Sequence, residues 1–419
     1  MTWTTVLTVF TLLLLAKLAA ELWLEGLNRR EVLAHAGAVP EGLAEVVDAA
    51  TYKKGVEYTL AKNSFGQAGT VYEAAWLFAW LGLGLLPLLY GALARGLGTS
   101  LWGQAGALCA AGILMSAPGM PWDWWGQFHL EERFGFNKST PTLWVTDKLK
   151  ALALGLVLGY PLLLLVVGFF RWQPRWWWLW AWAALMVFQL VMMVIAPRWI
   201  LPLFNKLTPL PEGELRERLL ALAMRTGFKC ATIEVIDGSK RSGHSNAFFT
   251  GFGRFRRIVL FDTLIAQMTP PELEAVLAHE IGHYRRGHVP RMLAVSALTT
   301  LAGFALLGWL AGQAWFYTGF RFDPALGMPA ALLMFSMVAD LGTFWLHPLM
   351  NYWSRRHEYE ADAFARAALN DARPMINALR KLHEKNLSNL TPHPVYSFFH
   401  YSHPTLLERE AALRAPVTA

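Results

Sequence analysis

The stretch His279-Glu280-Ile281-Gly282-His283 is the part of the chain best equipped for chemistry. On a helix, residues four apart share a face, so both imidazoles reach one ion. Glu280 then sits beside an open coordination position, where it can take a proton from metal-activated water. Zinc suits two histidines, one carboxylate and a water; a structural zinc site closes its sphere and needs no base. Ordinary helices contain the same five residues by chance, so the setting decides.

That setting begins with a helix start. Thr269-Pro270-Pro271-Glu272 places Thr as N-cap, Pro at the first helical position and Glu three residues after the cap. A helix is expected from there through the histidines. A catalytic site needs a third protein ligand. His288 lies five residues past His283, off the six-residue step of a Gly-turn metzincin, and reads as an ordinary polar residue at the helix end. Better candidates stand in Ser354-Arg355-Arg356-His357-Glu358-Tyr359-Glu360-Ala361-Asp362. Glu358 and Asp362 share a helix face, so one can ligate zinc while the other orients a ligating histidine; Glu360 points elsewhere. One zinc ion per chain is expected.

The elements that must position these residues are mostly apolar. Of 419 residues, 55% are hydrophobic and only 16% charged, with mean hydropathy +0.32, where a soluble domain carries about 25% charge. The 20 Trp fit membrane–water interfaces. Seven spans of the required character run near Thr4–Leu24, Ala74–Leu93, Leu101–Ser116, Lys150–Phe170, Trp176–Ile200, Leu293–Phe316 and Leu326–Met350. The third is short enough to be re-entrant. The first contains Lys17 and Glu21, and lacks the cleavage site of a signal peptide. Gln104, Gln189 and Asp340 within the spans are costly against lipid and point to a water-filled chamber, or to packing between helices.

The fold class is therefore an all-α-dominated polytopic membrane protein carrying a zincin-type α+β metalloprotease module. Residues 1–200 hold five spans with loops 25–72 and 117–149; 201–292 hold the protease segment; 293–350 hold two more spans; 351–419 carry the third ligand. Lys and Arg concentrate in one set of loops, which places the large polar segments and the C-terminus in the cytosol. The net charge of +7 follows from those loops and calls for no nucleic acid. Cys109 and Cys230 read as free thiols. Within the protease segment, Glu212–Thr226 reads as an amphipathic helix with Leu215, Leu219, Leu220 and Met224 inward. Thr232–Ile236 reads as a strand, and Ala247–Thr250, a Gly251/Gly253 turn and Ile258–Asp262 read as a hairpin.

With both histidine and glutamate segments in view, the chain resembles the type I CAAX prenyl endopeptidases, integral-membrane zinc proteases. The resemblance runs nearly full length. It includes Glu131-Glu132-Arg133-Phe134-Gly135-Phe136-Asn137, Pro202-Leu203-Phe204 with Thr208-Pro209-Leu210-Pro211, and Gly238-Ser239-Lys240-Arg241-Ser242 followed by His244-Ser245-Asn246-Ala247. It ends with Ser402-His403-Pro404 and Leu406-Leu407-Glu408-Arg409. The resemblance implies that His279, His283 and Glu358 bind zinc, Glu280 is the general base, and Asp362 stands behind the ligands or donates a proton. It implies that Asn246, with Ala247 and Phe248, holds the substrate backbone at a strand edge, and that His403 and Arg409 lie beside the metal. Physical reading agrees that a peptide can add as a strand there, that His403 can stabilise an oxyanion, and that Arg409 can pair with a site carboxylate. Asn246 capping a turn and Arg409 facing solvent are the plainer alternatives. The Glu131–Asn137 stretch holds no catalytic set and reads as packing or gating.

The expected substrate is a peptide or lipidated peptide, the expected solvent a bilayer, and the oligomeric state is open. The chain ends Arg414-Ala415-Pro416-Val417-Thr418-Ala419 without a dibasic retrieval signal, so a prokaryotic plasma membrane is expected, where prenylated proteins are generally lacking. A heat-shock-type membrane protease and a non-catalytic zinc-bound scaffold or transporter are the competing readings.

Overall fold

Backbone N–H and C=O groups in lipid must find partners within their own segment, so the apolar stretches fold as helices. The computed structural model describes residues 2–228, 232–250 and 257–416. Five helical rods are long and apolar enough to cross a bilayer: Trp3–Ala34, Pro141–Trp172, Trp177–Phe204, His288–Leu310 and Pro324–Leu369. Ala49–Gly82 and Leu85–Leu97 form a sixth candidate, bent by 58°, and the bend falls at Gly84, whose φ of 84° suits glycine. Leu101–Ser116 is a shorter apolar helix. All seven expected segments lie on these helices. The sixth ends at Leu310 instead of Phe316, where Ala311 to Gln313 turn the chain into the short helix Ala314–Thr318.

The helices outrun their apolar centres. The first reaches Ala34 and the second begins at Ala49, so most of the expected loop 25–72 is helix. Its polar residues bond across the hairpin: Asn63 Nδ2 donates to the Glu25 carbonyl at 3.0 Å. Beyond it, Val32, Leu43, Val46 and Tyr52 pack against Ala275, Ile376, Leu379 and Leu413 of the protease segment. The last rod, of 46 residues, continues from the membrane straight through Glu358 and Asp362.

Leu88, Val157 and Leu298 are 71%, 68% and 66% exposed. A band of such residues on a soluble protein marks an interaction surface; here it faces lipid. Gln104 accepts a hydrogen bond from Arg171 Nη2 at 3.0 Å, and Asp340 pairs with Lys17 at 2.7 Å, so both are tied to neighbouring helices.

The protease segment builds a four-stranded sheet in the order β1 (Leu207–Pro209), β2 (Thr232–Ile236), β4 (Arg257–Phe261), β3 (Ala247–Thr250). β2 and β4 are parallel; β3 pairs antiparallel with β4, Ala247 opposite Leu260. Among the described residues, β3 therefore has one unpaired edge. The expected Gly251/Gly253 turn and Cys230 lie outside the described residues; Cys109 is free. Helix Glu214–Arg225 buries Leu219, Leu222 and Ala223. The expected inward Met224 is 76% exposed, because the stripe that meets helix Pro270–Arg285 runs through 219, 222 and 223. Ile258, Leu260, Leu264, Leu277 and Ile281 complete this core.

Leu260→Ala should destabilise the protein by about 2–5 kcal/mol, whereas Leu298→Ala on the lipid face should change stability by no more than about 0.5 kcal/mol. Thermal midpoints in detergent, compared side by side, check the contrast.

Candidate active site and metal centre

The capping box forms as its sequence requires. The Thr269 N–H donates to Glu272 Oε2 at 2.7 Å, and Pro270 opens the motif helix, Pro270–Arg285. Lys381 also donates to Glu272 at 2.6 Å, fixing the helix start to Arg373–Lys385. The motif helix packs most closely on the end of the long rod. At Gly282 a Cβ would lie 2.9 Å from Ala361 Cα and 3.0 Å from its carbonyl oxygen, so only glycine permits this approach. The contact brings both histidines against Glu358.

His279, His283 and Glu358 offer ligand atoms that all lie within 4.8 Å of one another. The two histidine Nε2 atoms are 3.1 Å apart. Glu358 Oε2 is 3.4 Å from His279 Nε2, and Oε1 is 3.3 Å from His283 Nε2. Glu358 is buried and its Oε2 accepts no hydrogen bond among the described residues. Two imidazole nitrogens and an orphaned carboxylate oxygen converging on one point are an arrangement that a divalent cation satisfies. Zinc fits this donor set.

Support comes from behind. His279 Nδ1 is 2.8 Å from Asp362 Oδ1. Arg409 donates to both Asp362 oxygens, Nε at 2.8 Å and Nη2 at 2.6 Å, and its Nη1 lies 3.5 Å from Glu358. Burial by itself would lower the His279 pKa, but the hydrogen bond with Asp362 and the nearby Glu358 carboxylate outweigh it and push it up to about 9. The same carboxylates raise the affinity of the imidazole for a cation.

Glu280 forms no hydrogen bond or ion pair among the described residues and lines a cavity of about 380 Å³ with His279, Glu358, His403, Asn246 and Ala247. Burial pushes its carboxyl above the usual range, and His279 and His283 pull it back only in part. His403 is well exposed, with Nε2 3.4 Å from Glu358 Oε1. Asn246 Oδ1 accepts from the Ala247 N–H at 2.8 Å, a local bond that leaves its amide N–H groups for another partner. Among the expected site residues, two stand apart. Asp362 is buried behind His279 and does not line the cavity. Arg409 does line the cavity and pairs with Asp362, the site carboxylate expected for it. The Phe248 ring packs toward Phe261, centroids 6.2 Å apart.

The cavity adjoins a larger one of about 720 Å³, with His383, Asn386 and His403 in both walls. That one adjoins a third of about 530 Å³, with Tyr58, Lys62 and His244 in common. Here Glu131–Asn137 meets the stretch after β2. The Gly243 N–H donates to Phe136 O at 2.9 Å, the Phe136 ring stacks on His244 at 4.0 Å, and Tyr58 Oη donates to Glu131 at 2.7 Å. Glu131 also lies 3.3 Å from His244 Nε2. These contacts make the wall between cavities, in keeping with packing or gating.

Sequence reading missed two features. Thr405 and Glu408 form a second capping box, the Thr405 N–H donating at 2.8 Å, which starts the helix carrying Arg409; the Thr-x-x-Glu spacing was the signal. His288 and Glu360, read as an ordinary helix-end residue and one pointing elsewhere, instead meet at 3.1 Å, with His288 fully buried. Nothing in the spacing foretells that.

A model described as CAAX prenyl protease N-terminal, five membrane helices, matches residues 28–206, and a model of peptidase family M48 matches 209–417. CAAX prenyl protease 1 of Saccharomyces cerevisiae is 38% identical over 400 residues, covering 90% of this chain and 88% of the relative. The Homo sapiens CAAX prenyl protease 1 homolog is 30% identical, with the same coverage. The crystal structure of S. mikatae Ste24p superposes with a TM-score of 0.89 at 35% identity, covering 99% of both chains.

Gly282→Ala should separate the motif helix from Ala361 and weaken metal binding by at least about tenfold, as loss of support behind ligands does. Equilibrium dialysis against a zinc buffer reads the change.

Proposed function

The chain belongs to peptidase family M48 and is a membrane-embedded metalloendopeptidase; from that membership we propose that it holds one zinc ion per chain between His279, His283 and Glu358. The orphaned Glu358 oxygen facing two imidazole nitrogens carries this reading. When bound, zinc acidifies a water and polarises a carbonyl.

The chain's own residues supply the rest. Glu280, unpaired and facing the cavity, takes a proton from the attacking water and delivers it to the leaving amine. Its burial favours the neutral carboxylic acid that delivery requires. His403 stands at the cavity wall as a donor for developing oxyanion charge. The free edge of β3 receives substrate as an added strand, with Asn246 donating to its backbone. Asp362 and Arg409 hold His279 and Glu358 in place.

The substrate we propose is an extended peptide tethered to the membrane, reaching the site through the adjoining cavities from the side richer in Lys and Arg, the cytosolic side by the positive-inside rule. The match to prenyl proteases across the spans as well as the protease segment supports a lipidated C-terminus over a quality-control role. It supports an enzyme over a scaffold, as does an unpaired Glu280.

Glu280→Gln should keep zinc at wild-type stoichiometry and lose cleavage of a farnesylated CAAX peptide by at least about 10²-fold. Metal analysis and product detection on one sample check both; retained cleavage would sink the mechanism. The unlipidated peptide, run in parallel, reads whether the lipid is required.

A further inference from the structure

His283 is held from behind by residues to which neither the motif nor the comparisons give a role. Gly287, at φ 68°, breaks the motif helix, and His288 opens the next one. That turn folds His288 back, leaving it 1% exposed. Its Nδ1 lies 2.9 Å from His283 Nδ1, and its Nε2 lies 3.1 Å from Glu360 Oε2. His357 lies flat against it, ring centroids 4.0 Å apart at 12°.

Two ring nitrogens at 2.9 Å share one proton: one donates and the other accepts. His283 turns Nε2 toward Glu358 and His279, so a cation there requires its proton on Nδ1. His283 then donates and His288 Nδ1 accepts. The proton of a neutral His288 is thereby on Nε2, where Glu360 accepts it. This assignment satisfies each contact in turn, and reversing it leaves His283 Nε2 protonated and closed to metal. We propose that His288, backed by Glu360, is a positioning residue that fixes the tautomer and ring plane of His283, as Asp362 does for His279. The inference rests on His283 being a zinc ligand. The two histidines are supported unequally: His279 by a buried carboxylate pinned by Arg409, His283 by an imidazole relay ending on a carboxylate whose side chain is 39% exposed.

The test uses the full chain in detergent, with zinc affinity read by competition against a chromophoric chelator. His288→Phe keeps a ring to stack on His357 but cannot accept a hydrogen bond. His288→Asn puts an amide oxygen near the place of Nδ1. Phe should weaken zinc binding about 10–100-fold, Asn should recover most of the loss, and Glu360→Ala should fall between them. With cobalt in place of zinc, the visible absorption should change in the Phe variant and return toward wild type with Asn. His283→Ala is the reference and should lose zinc more completely than any of them. If it does, while the His288 and Glu360 variants bind like wild type, the proposal is overturned and the ligand set stands. Equal losses for Phe and Asn, with a lowered thermal midpoint of the metal-free protein, would reduce His288 to packing and overturn it too. If His283→Ala binds zinc like wild type, the ligand set is wrong and the proposal falls with it.

Discussion

Everything at this site depends on how closely two helices approach. The motif helix brings two histidines and the rod from the membrane brings Glu358. They converge only because Gly282 lets the first backbone rest on Ala361 of the second. Protein interiors are packed like organic crystals and do not stretch to absorb an extra methyl. The glycine within the motif thus sets how near His279 and His283 come to Glu358, although it contributes no side chain of its own.

Close approach also concentrates charge. Glu358, Asp362 and Arg409 are all buried, and each is costly unless paired. The paired geometry is good: Arg409 spans Asp362 in two hydrogen bonds, and Asp362 meets His279. Glu358 alone keeps an oxygen without a hydrogen bond. The network therefore leaves one atom without a hydrogen bond, and that atom lies beside the His279 imidazole. Removing one member of such a set leaves an uncompensated buried charge, which typically costs about 3–5 kcal/mol.

What the sequence made legible follows from the range of each interaction. Apolar length located the membrane helices, and Thr269 to Glu272 located the motif helix, because hydropathy and capping are local. Glu358 and Asp362 were legible as a pair because four residues make a helical turn. Which one faces the two histidine Nε2 atoms was not derivable from that spacing; it depends on Arg409, which arrives from 47 residues further on to hold Asp362. Of the expected inward stripe of Glu214–Arg225, Leu215, Leu219 and Leu220 join the core and Met224 does not, since Leu222 and Ala223 take the place against the motif helix. His288, set aside for lying off the six-residue metzincin step, is turned back against His283 by the glycine turn at Gly287, which the spacing alone does not reveal.

The long rod gives the membrane a direct mechanical connection to the chemistry. Its apolar half packs among the spans through Met328, Leu333 and Leu341, and its polar half carries Glu358, Glu360 and Asp362. On the other side of the cavity, the edge of β3 is fixed through β4 to the core beneath the motif helix. The edge of β3 and Glu358 thus belong to separate packed units on either side of the motif helix. Shifting the rod along its axis by one residue moves Glu358 about 1.5 Å, comparable with the margin that separates a ligating oxygen from a distant one. The packing of the rod among the spans therefore fixes where Glu358 stands relative to His279 and His283.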